Sequence, residues 1–223
     1  MPDASAFSIP LQGGAPPGCR RCSRLVALRR ETRKHHPGWW NRPVPAWGDP
    51  DAWLVLVGLA PGMHGAHRTG RAFTGDASGT VLHAALARHG LSNGLYEAQA
   101  DDGLELHGVA ITNVIQCLPP ENKPSGAEIA ECRRYFSRTL RHLPQARVVL
   151  ALGRVAHQAL VRHAGLAQKD VRFAHGAQHQ LPDGRWLVSS YHCSRYNMNT
   201  GRLTEAMLDG VFVQAKALGQ ASE

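Results

Sequence analysis

Four cysteines fall into two pairs, Cys19 with Cys22 in a C-x-x-C and Cys117 with Cys132 across 14 intervening residues. Four thiolates can enclose one inorganic site, and sulfur ligation suits both zinc and an iron-sulfur cluster. The spacing leaves that choice open. It also leaves open four buried free cysteines, a common fate of this residue type, although a C-x-x-C flanked by Arg20, Arg21 and Arg24 is a poor core element. A site built on all four would tie the N-terminal segment to two distant points of the chain, a structural role. Cys193 stands outside both pairs.

Two loops and a strand end hold the other unusual residues. The first loop reads Gly58-Leu59-Ala60-Pro61-Gly62-Met63-His64-Gly65, followed by Arg68-Thr69-Gly70-Arg71-Ala72-Phe73-Thr74-Gly75-Asp76-Ala77-Ser78-Gly79. Its glycines permit close backbone approach to a ligand. It is neither a phosphate-binding P-loop, lacking a terminal Gly-Lys-Ser/Thr, nor a dinucleotide fingerprint. The last loop runs from His192 through Cys193, Ser194, Arg195, Tyr196, Asn197 and Met198 to Gly201, Arg202, Leu203 and Thr204. Each residue also has a plain structural use: Asp76 or Ser78 as a helix cap, Phe73 as core, Asn113 as a strand-end turn residue. His64 and His67 read as surface loop positions.

These loops need a scaffold, and 223 residues with 43% hydrophobic content can build one domain with a real core. Apolar runs at Trp53 to Val57, Val109 to Val114, Arg147 to Leu152 and Arg185 to Ser190 suit buried parallel strands. Between and after them, helical spacing covers Thr80 to His89, Ser125 to Leu143, Val155 to His163 and Thr204 to Leu218, with a basic helix over Cys19 to Arg33. Ser125 and Glu128 form a capping pair. The alternation predicts an α/β/α sandwich with a short, four-stranded parallel sheet and function at the carboxyl ends of its strands. Residues 1–18 are expected to be a flexible tail and 19–223 a single domain.

With 25 Lys and Arg against 17 Asp and Glu, the formal charge is +8, which favours a polyanionic partner. No apolar run reaches the roughly 20 residues that span a bilayer, so no membrane partner is expected. The N-terminal stretch lacks the basic start and apolar stretch of an export signal. A cytoplasmic protein with reduced cysteines is the expectation.

Taken together, the G-L-A-P-x-x-H-G loop, the R-T-G-R-x-F-T-G-D-x-S-G stretch, the ordered cysteines, Asn122-Lys123-Pro124 and the closing T-G-R-L-T resemble the iron-sulfur branch of the uracil-DNA glycosylases, specifically family 5, type B. The resemblance covers nearly the whole chain. It implies a 4Fe-4S cluster on Cys19, Cys22, Cys117 and Cys132, with zinc as the alternative occupant. It also implies a monomer that hydrolyses uracil from single- or double-stranded DNA, with hypoxanthine, xanthine and hydroxymethyluracil as further substrates.

An extruded base must be held in a pocket and read on its hydrogen-bonding edge. Phe73 would stack on it. Asn113 carries the donor and acceptor that pair with adjacent carbonyl and N–H groups, and the small Ala60 would leave room for larger bases. By resemblance His192 would donate to the base O2 as charge develops there. Asp76 would orient water or stabilise the sugar cation, since family 4 relatives have an acidic residue where this chain has Leu59. Arg68, Arg71, Lys123, Arg195, Tyr196 and Arg202 are the expected DNA contacts, with Arg195 to Met198 as candidate wedges. Cys193 replaces the proline usual after the histidine. Two rival readings are a non-catalytic DNA-binding protein with a four-cysteine zinc site and a free-nucleoside hydrolase.

Overall fold

A computed structural model describes residues 10–220. The strands are β1 (Trp47–Gly48), β2 (Leu54–Gly58), β3 (Ser92–Asn93), β4 (Glu105–Leu106), β5 (Val109–Asn113), β6 (Val148–Leu152), β7 (Gln178–Gln180) and β8 (Trp186–Ser190). The helices are α1 (Ser23–His35), α2 (Ala66–Thr69), α3 (Ala77–Arg88), α4 (Gly126–Arg141), α5 (Arg154–His163), α6 (Arg195–Asn199) and α7 (Glu205–Gln220). A 3-10 turn, Pro120–Asn122, precedes α4.

Six strands form the main sheet in the order β1-β5-β2-β6-β8-β7, and β3 pairs with β4 in a separate ribbon. The inner four are parallel, as expected from their continuous apolar runs, while β1 and β7 add antiparallel edges. The edges escape the sequence because they are very short, and β7, Gln178–Gln180, has no apolar residue. Leu54, Leu56, Ile111 and Leu150 face a core completed by Leu82, Leu86, Val211 and Phe212 of α3 and α7. Val55, Val57, Ala110 and Val149 face the other, with Leu25, Phe136 and Leu160 of α1, α4 and α5. Hence the sheet is covered on both faces.

Helix starts follow local chemistry. Ser125 Oγ accepts from the Glu128 N–H while Glu128 Oε2 accepts from the Ser125 N–H, closing the expected capping box. Helix α1 begins at Ser23, later than expected, with Cys22 extended, so the C-x-x-C lies in the loop ahead of the helix. The last loop contains a helix that the sequence reading lacks, α6, opened by Ser194 Oγ accepting from the Asn197 N–H.

Residues 10–18 are fastened to the body. Leu11 N donates to the Ala46 carbonyl, Ala15 N to Gln116 Oε1, and Arg138 to the carbonyls of Gly13 and Gly14. The expected flexible tail therefore does not extend over these residues; 1–9 lie outside the described ones. Among the described residues no helix is long and apolar enough to cross a membrane.

Candidate active site and cysteine cavity

In register, Gly58 lies opposite Asn113 and Leu152 opposite Ser190. The carboxyl ends of the four parallel strands thus bring together the first loop, Asn113 and the last loop, where open α/β sheets place ligands. Gly58 fits nothing larger: a Cβ there would fall 2.4 Å from Asn113 Oδ1 and 2.7 Å from the Phe73 ring. Asn113 is buried, and among the described residues its side-chain amide has no hydrogen-bond partner. Neither amide atom is sealed from solvent, unlike the buried, unpartnered Thr112 Oγ1 next to it. Its donor and acceptor are therefore open to a ligand that offers a matching acceptor and donor.

Phe73 sits beside it at φ 54, a backbone region unfavourable for a bulky residue. Several side chains hold it there. The His83 Nε2–H donates to the Phe73 carbonyl at 3.1 Å, the Gly75 N–H donates to Tyr96 Oη at 3.1 Å, and Trp47 Nε1–H donates to the Ala72 carbonyl at 3.0 Å. His83 and Tyr96 stack with centroids 4.4 Å apart. The sequence carries no local signal for this brace, because His83 and Tyr96 read as ordinary helix and loop residues.

His192 enters from the far side, its ring centroid 6.0 Å from that of Phe73. Gly153, at φ 105, allows this approach, since a Cβ there would lie 3.3 Å from His192 Cβ. Asn197 Nδ2 donates to the His192 carbonyl at 2.8 Å, which turns Asn197 inward and removes it from the wedge candidates. Burial lowers the His192 pKa, against a smaller opposing effect from Asp76. The imidazole is therefore neutral near pH 7 and available as a hydrogen-bond donor.

Asp76 has two uses at once. Its Oδ1 accepts from the Gly79 N–H at 3.0 Å, capping α3. Its Oδ2 abuts the first loop, where a Cβ at Gly65 would fall 2.3 Å away and one at Gly62 3.2 Å away. Cys193 is fully buried and its thiol donates to the Ser78 carbonyl at 3.5 Å, so it ties the last loop to the start of α3. Ala60 is half-buried against the Val55, Ile115 and Leu25 core, on the opposite layer from Phe73.

The expected DNA contacts separate into distinct groups. Arg71 is a correction: it is 2% exposed and grips Asp102 bidentately at 2.7 Å for both bonds, so no phosphate reaches it. Arg68 is half-buried with Nε on the His64 carbonyl, and Lys123 is exposed beside Glu121. Arg195 and Tyr196 project from α6, with Tyr196 70% exposed. Arg202 is exposed and lies over Tyr191.

His67 is a second correction, for it is fully buried, with Nε2 2.9 Å from Thr32 Oγ1 of α1. Burial, aided by Arg29, pushes its pKa down to about 4. His83 is pushed down to about 3 by burial and then by Arg71. Both rings take up protons near 6.5 when unfolded, so the unfolded state binds more protons as pH falls below that value. Stability is expected to be complete above about pH 6.5 and to decline as pH falls toward 4 and 3. Urea unfolding at pH 7 and pH 5 checks this, and His67→Gln should make the decline shallower.

Cys19, Cys22, Cys117 and Cys132 all line one small cavity, with Ala15, Leu25, Ile115 and Tyr135. Burial pushes Cys117 up to about 11 and Cys132 up to about 12, with repulsion from the neighbouring thiols adding to both. Buried Arg29 opposes this at Cys117, donating to its Sγ at 3.5 Å and to the Cys19 carbonyl at 2.6 Å. Four cysteines around one space, with the thiolates of Cys22, Cys117 and Cys132 disfavoured by burial and by neighbouring negative charge, suit a bound cationic centre. Among the described residues no three His, Cys, Asp or Glu side chains converge as a single-ion site.

The sequence pattern of the uracil DNA glycosylase superfamily matches residues 45–215. The chain is 48% identical over 205 residues to a type-5 uracil-DNA glycosylase of Thermus thermophilus, covering 90% of this chain and 93% of that protein. It is 43% identical over 227 residues to a type-5 uracil-DNA glycosylase of Mycobacterium leprae, covering 98% and 99%. A type-4 uracil-DNA glycosylase of Archaeoglobus fulgidus is 30% identical over 155 residues, covering 67% and 69%. Matching type-5 proteins nearly end to end and type-4 proteins over a shorter span, the chain belongs to the uracil-DNA glycosylase superfamily and to its type-5 branch.

Proposed function

We propose that this chain hydrolyses the N-glycosidic bond of uracil in DNA and leaves an abasic site without nicking the strand. The observation that carries the reading is the unpartnered Asn113 amide at the strand end beside Phe73, whose ring neighbours a neutral His192. A base in the duplex is out of reach, so the nucleotide is extruded and its base stacks on Phe73. Asn113 then pairs with the adjacent carbonyl and N–H of uracil, a pattern that cytosine does not present. As the bond from C1′ to the base breaks, negative charge grows on the base O2 and His192 donates to it without being protonated first. The bond pair leaves with the base as the uracil anion, and water attacks C1′, its oxygen forming the new bond and its released proton passing to solvent and thence to the departed base. Asp76, through the oxygen not used for capping, orients that water and offsets positive charge on the sugar.

Cys19, Cys22, Cys117 and Cys132 would hold a 4Fe-4S cluster. The lining of one cavity by all four, with buried Arg29 donating to Cys117 Sγ, supports a single four-thiolate centre there. Bound there, the cluster supplies a structural cross-link between the N-terminal segment, the loop after β5 and α4. Cys117→Ala is expected to abolish iron retention and lower the melting temperature by on the order of 10 °C. Elemental analysis, visible absorption and thermal unfolding check this; a variant that keeps its iron and its melting temperature contradicts the assignment.

Alkali-revealed cleavage of labelled oligonucleotides, each with one modified base, tests the activity and its breadth. Cleavage at uracil and not in a thymine control is expected. The reading extends to hypoxanthine, xanthine and hydroxymethyluracil, and release of uracil alone would remove that extension.

A further inference from the structure

Two arginines beside the site rest on aromatic rings rather than on acids. The Arg154 guanidinium lies 5.7 Å from the Phe173 centroid, and that of Arg202 lies 5.0 Å from the Tyr191 centroid. The two rings are 5.9 Å apart. Both arginines are exposed and both rings half-buried. Among the described residues neither guanidinium has a hydrogen-bond or carboxylate partner. Arg21, Arg24, Arg88, Arg134 and Arg185 sit on carboxylates, and Arg42 and Arg138 each lie over a single ring, Trp40 and Tyr135, whereas Arg154 and Arg202 lie over two rings that neighbour each other.

The row is anchored from behind. His175 stacks on Tyr191 with centroids 5.2 Å apart, and its Nδ1 accepts from the Tyr191 N–H at 3.2 Å. Its Nε2–H donates to the Met207 carbonyl at 3.2 Å, which fixes the tautomer. The row also starts at the pocket. Tyr191 precedes His192, Arg154 follows Gly153, and the Gly153 N–H donates to the Ser190 carbonyl at 2.8 Å.

We propose that Arg154, Phe173, Tyr191 and Arg202 form a ridge that grips the sugar-phosphate backbone of the DNA strand beside the extruded nucleotide. The inference deepens the glycosylase reading and rests on it for the identity of the nucleic acid. A guanidinium has a planar fork of donors that matches a phosphate bidentately. Stacking on a ring holds that fork in place while leaving its edge donors free. Phosphate contacts of this kind position the strand without reading its sequence. The ridge would therefore hold the strand on one side of His192 while the base is drawn toward Phe73.

The test is binding of a fluorescently labelled, uracil-free oligonucleotide, followed by anisotropy at several salt concentrations. Arg154→Gln/Arg202→Gln is expected to weaken binding by roughly tenfold per arginine and to reduce the log–log salt slope by about 2. Arg141→Gln/Arg162→Gln removes the same charge from exposed positions on α4 and α5 and should leave the slope unchanged. Circular dichroism confirms that each variant is folded. Arg154→Lys/Arg202→Lys, which keeps the charge but loses the fork, is expected to recover the slope and only part of the affinity.

A ridge variant with the affinity and slope of the parent overturns the proposal, as does a parent with no affinity for the oligonucleotide. Because binding is read on DNA without uracil, the two readings fail separately. A parent that releases no uracil while the ridge variant loses slope removes the enzymatic reading and leaves the ridge. A parent that releases uracil while the slope stays fixed does the reverse.

Discussion

An Asp76→Asn protein is expected to fold like its parent and to release uracil about 10²- to 10⁴-fold more slowly in a single turnover. The substitution separates the two uses of this side chain. Asn is as good an N-cap as Asp, so the bond from the Gly79 N–H to Oδ1 survives. The loss of a negative charge at the start of α3 costs less than about 1 kcal/mol. What disappears is the charge on the second oxygen, which faces Gly62 and Gly65 and is felt at His192. Asp76→Ala removes the cap as well, so about 1 kcal/mol of stability should be lost on top of the same rate effect. A normal rate in Asp76→Asn together with a lowered melting temperature in Asp76→Ala would reduce Asp76 to a helix cap.

Arg71→Met should destabilise the fold by about 3–5 kcal/mol, a large share of the stability of an ordinary domain. The side chains of Arg71 and Asp102 are 2% and 0% exposed. The guanidinium also bonds Thr74 Oγ1 at 2.9 Å and lies 4.6 Å over the Trp47 ring. Removing it leaves a buried carboxylate whose remaining donors are the backbone N–H groups of Glu97 and Leu104. The cost is mainly that of the stranded charge, so Arg71→Met/Asp102→Leu is expected to recover a good part of it. Urea unfolding of the two variants decides the matter; equal losses in both would show that the residues act through packing instead. Because Phe73 lies two positions from Arg71, the single variant should also weaken base binding.

The parts of the molecule that local chemistry fixes were legible in the sequence. Leu54 to Val57 and Val148 to Leu152 are continuous apolar runs, and only a strand covered on both faces accommodates them. Ser125 and Glu128 announce the start of α4, and the observed capping box is the one their spacing requires. Asn113 at a strand end, Phe73 and Asp76 in a glycine-rich loop, and His192 at the head of the last loop converge because parallel strands deliver their carboxyl ends to one side. The four cysteines share a cavity for the same topological reason.

What the sequence conceals depends on distant partners. Arg71 stands in a stretch of arginines and glycines that reads as a solvated, phosphate-binding loop. Its carboxylate partner is 31 residues away, in an Asp-Asp-Gly run that reads as a turn. His67 carries no sign that Thr32 of α1 covers it. The edge strands β1 and β7 are held by backbone pairing at the margins of an apolar sheet, so their side chains show no period. The Arg154 ridge likewise draws on four separated stretches of chain that only the ends of β6 and β8 bring together.

The most direct test of the central claim is the direct detection of free base. The purified protein, with its metal content determined, is mixed in excess with a duplex carrying one labelled uracil, and released label is separated from DNA before any alkali is added. Free uracil released in one turnover, with the strand intact until alkali treatment, is the predicted result. Tight binding of the duplex with no free uracil, or strand breakage without release of the base, would contradict it.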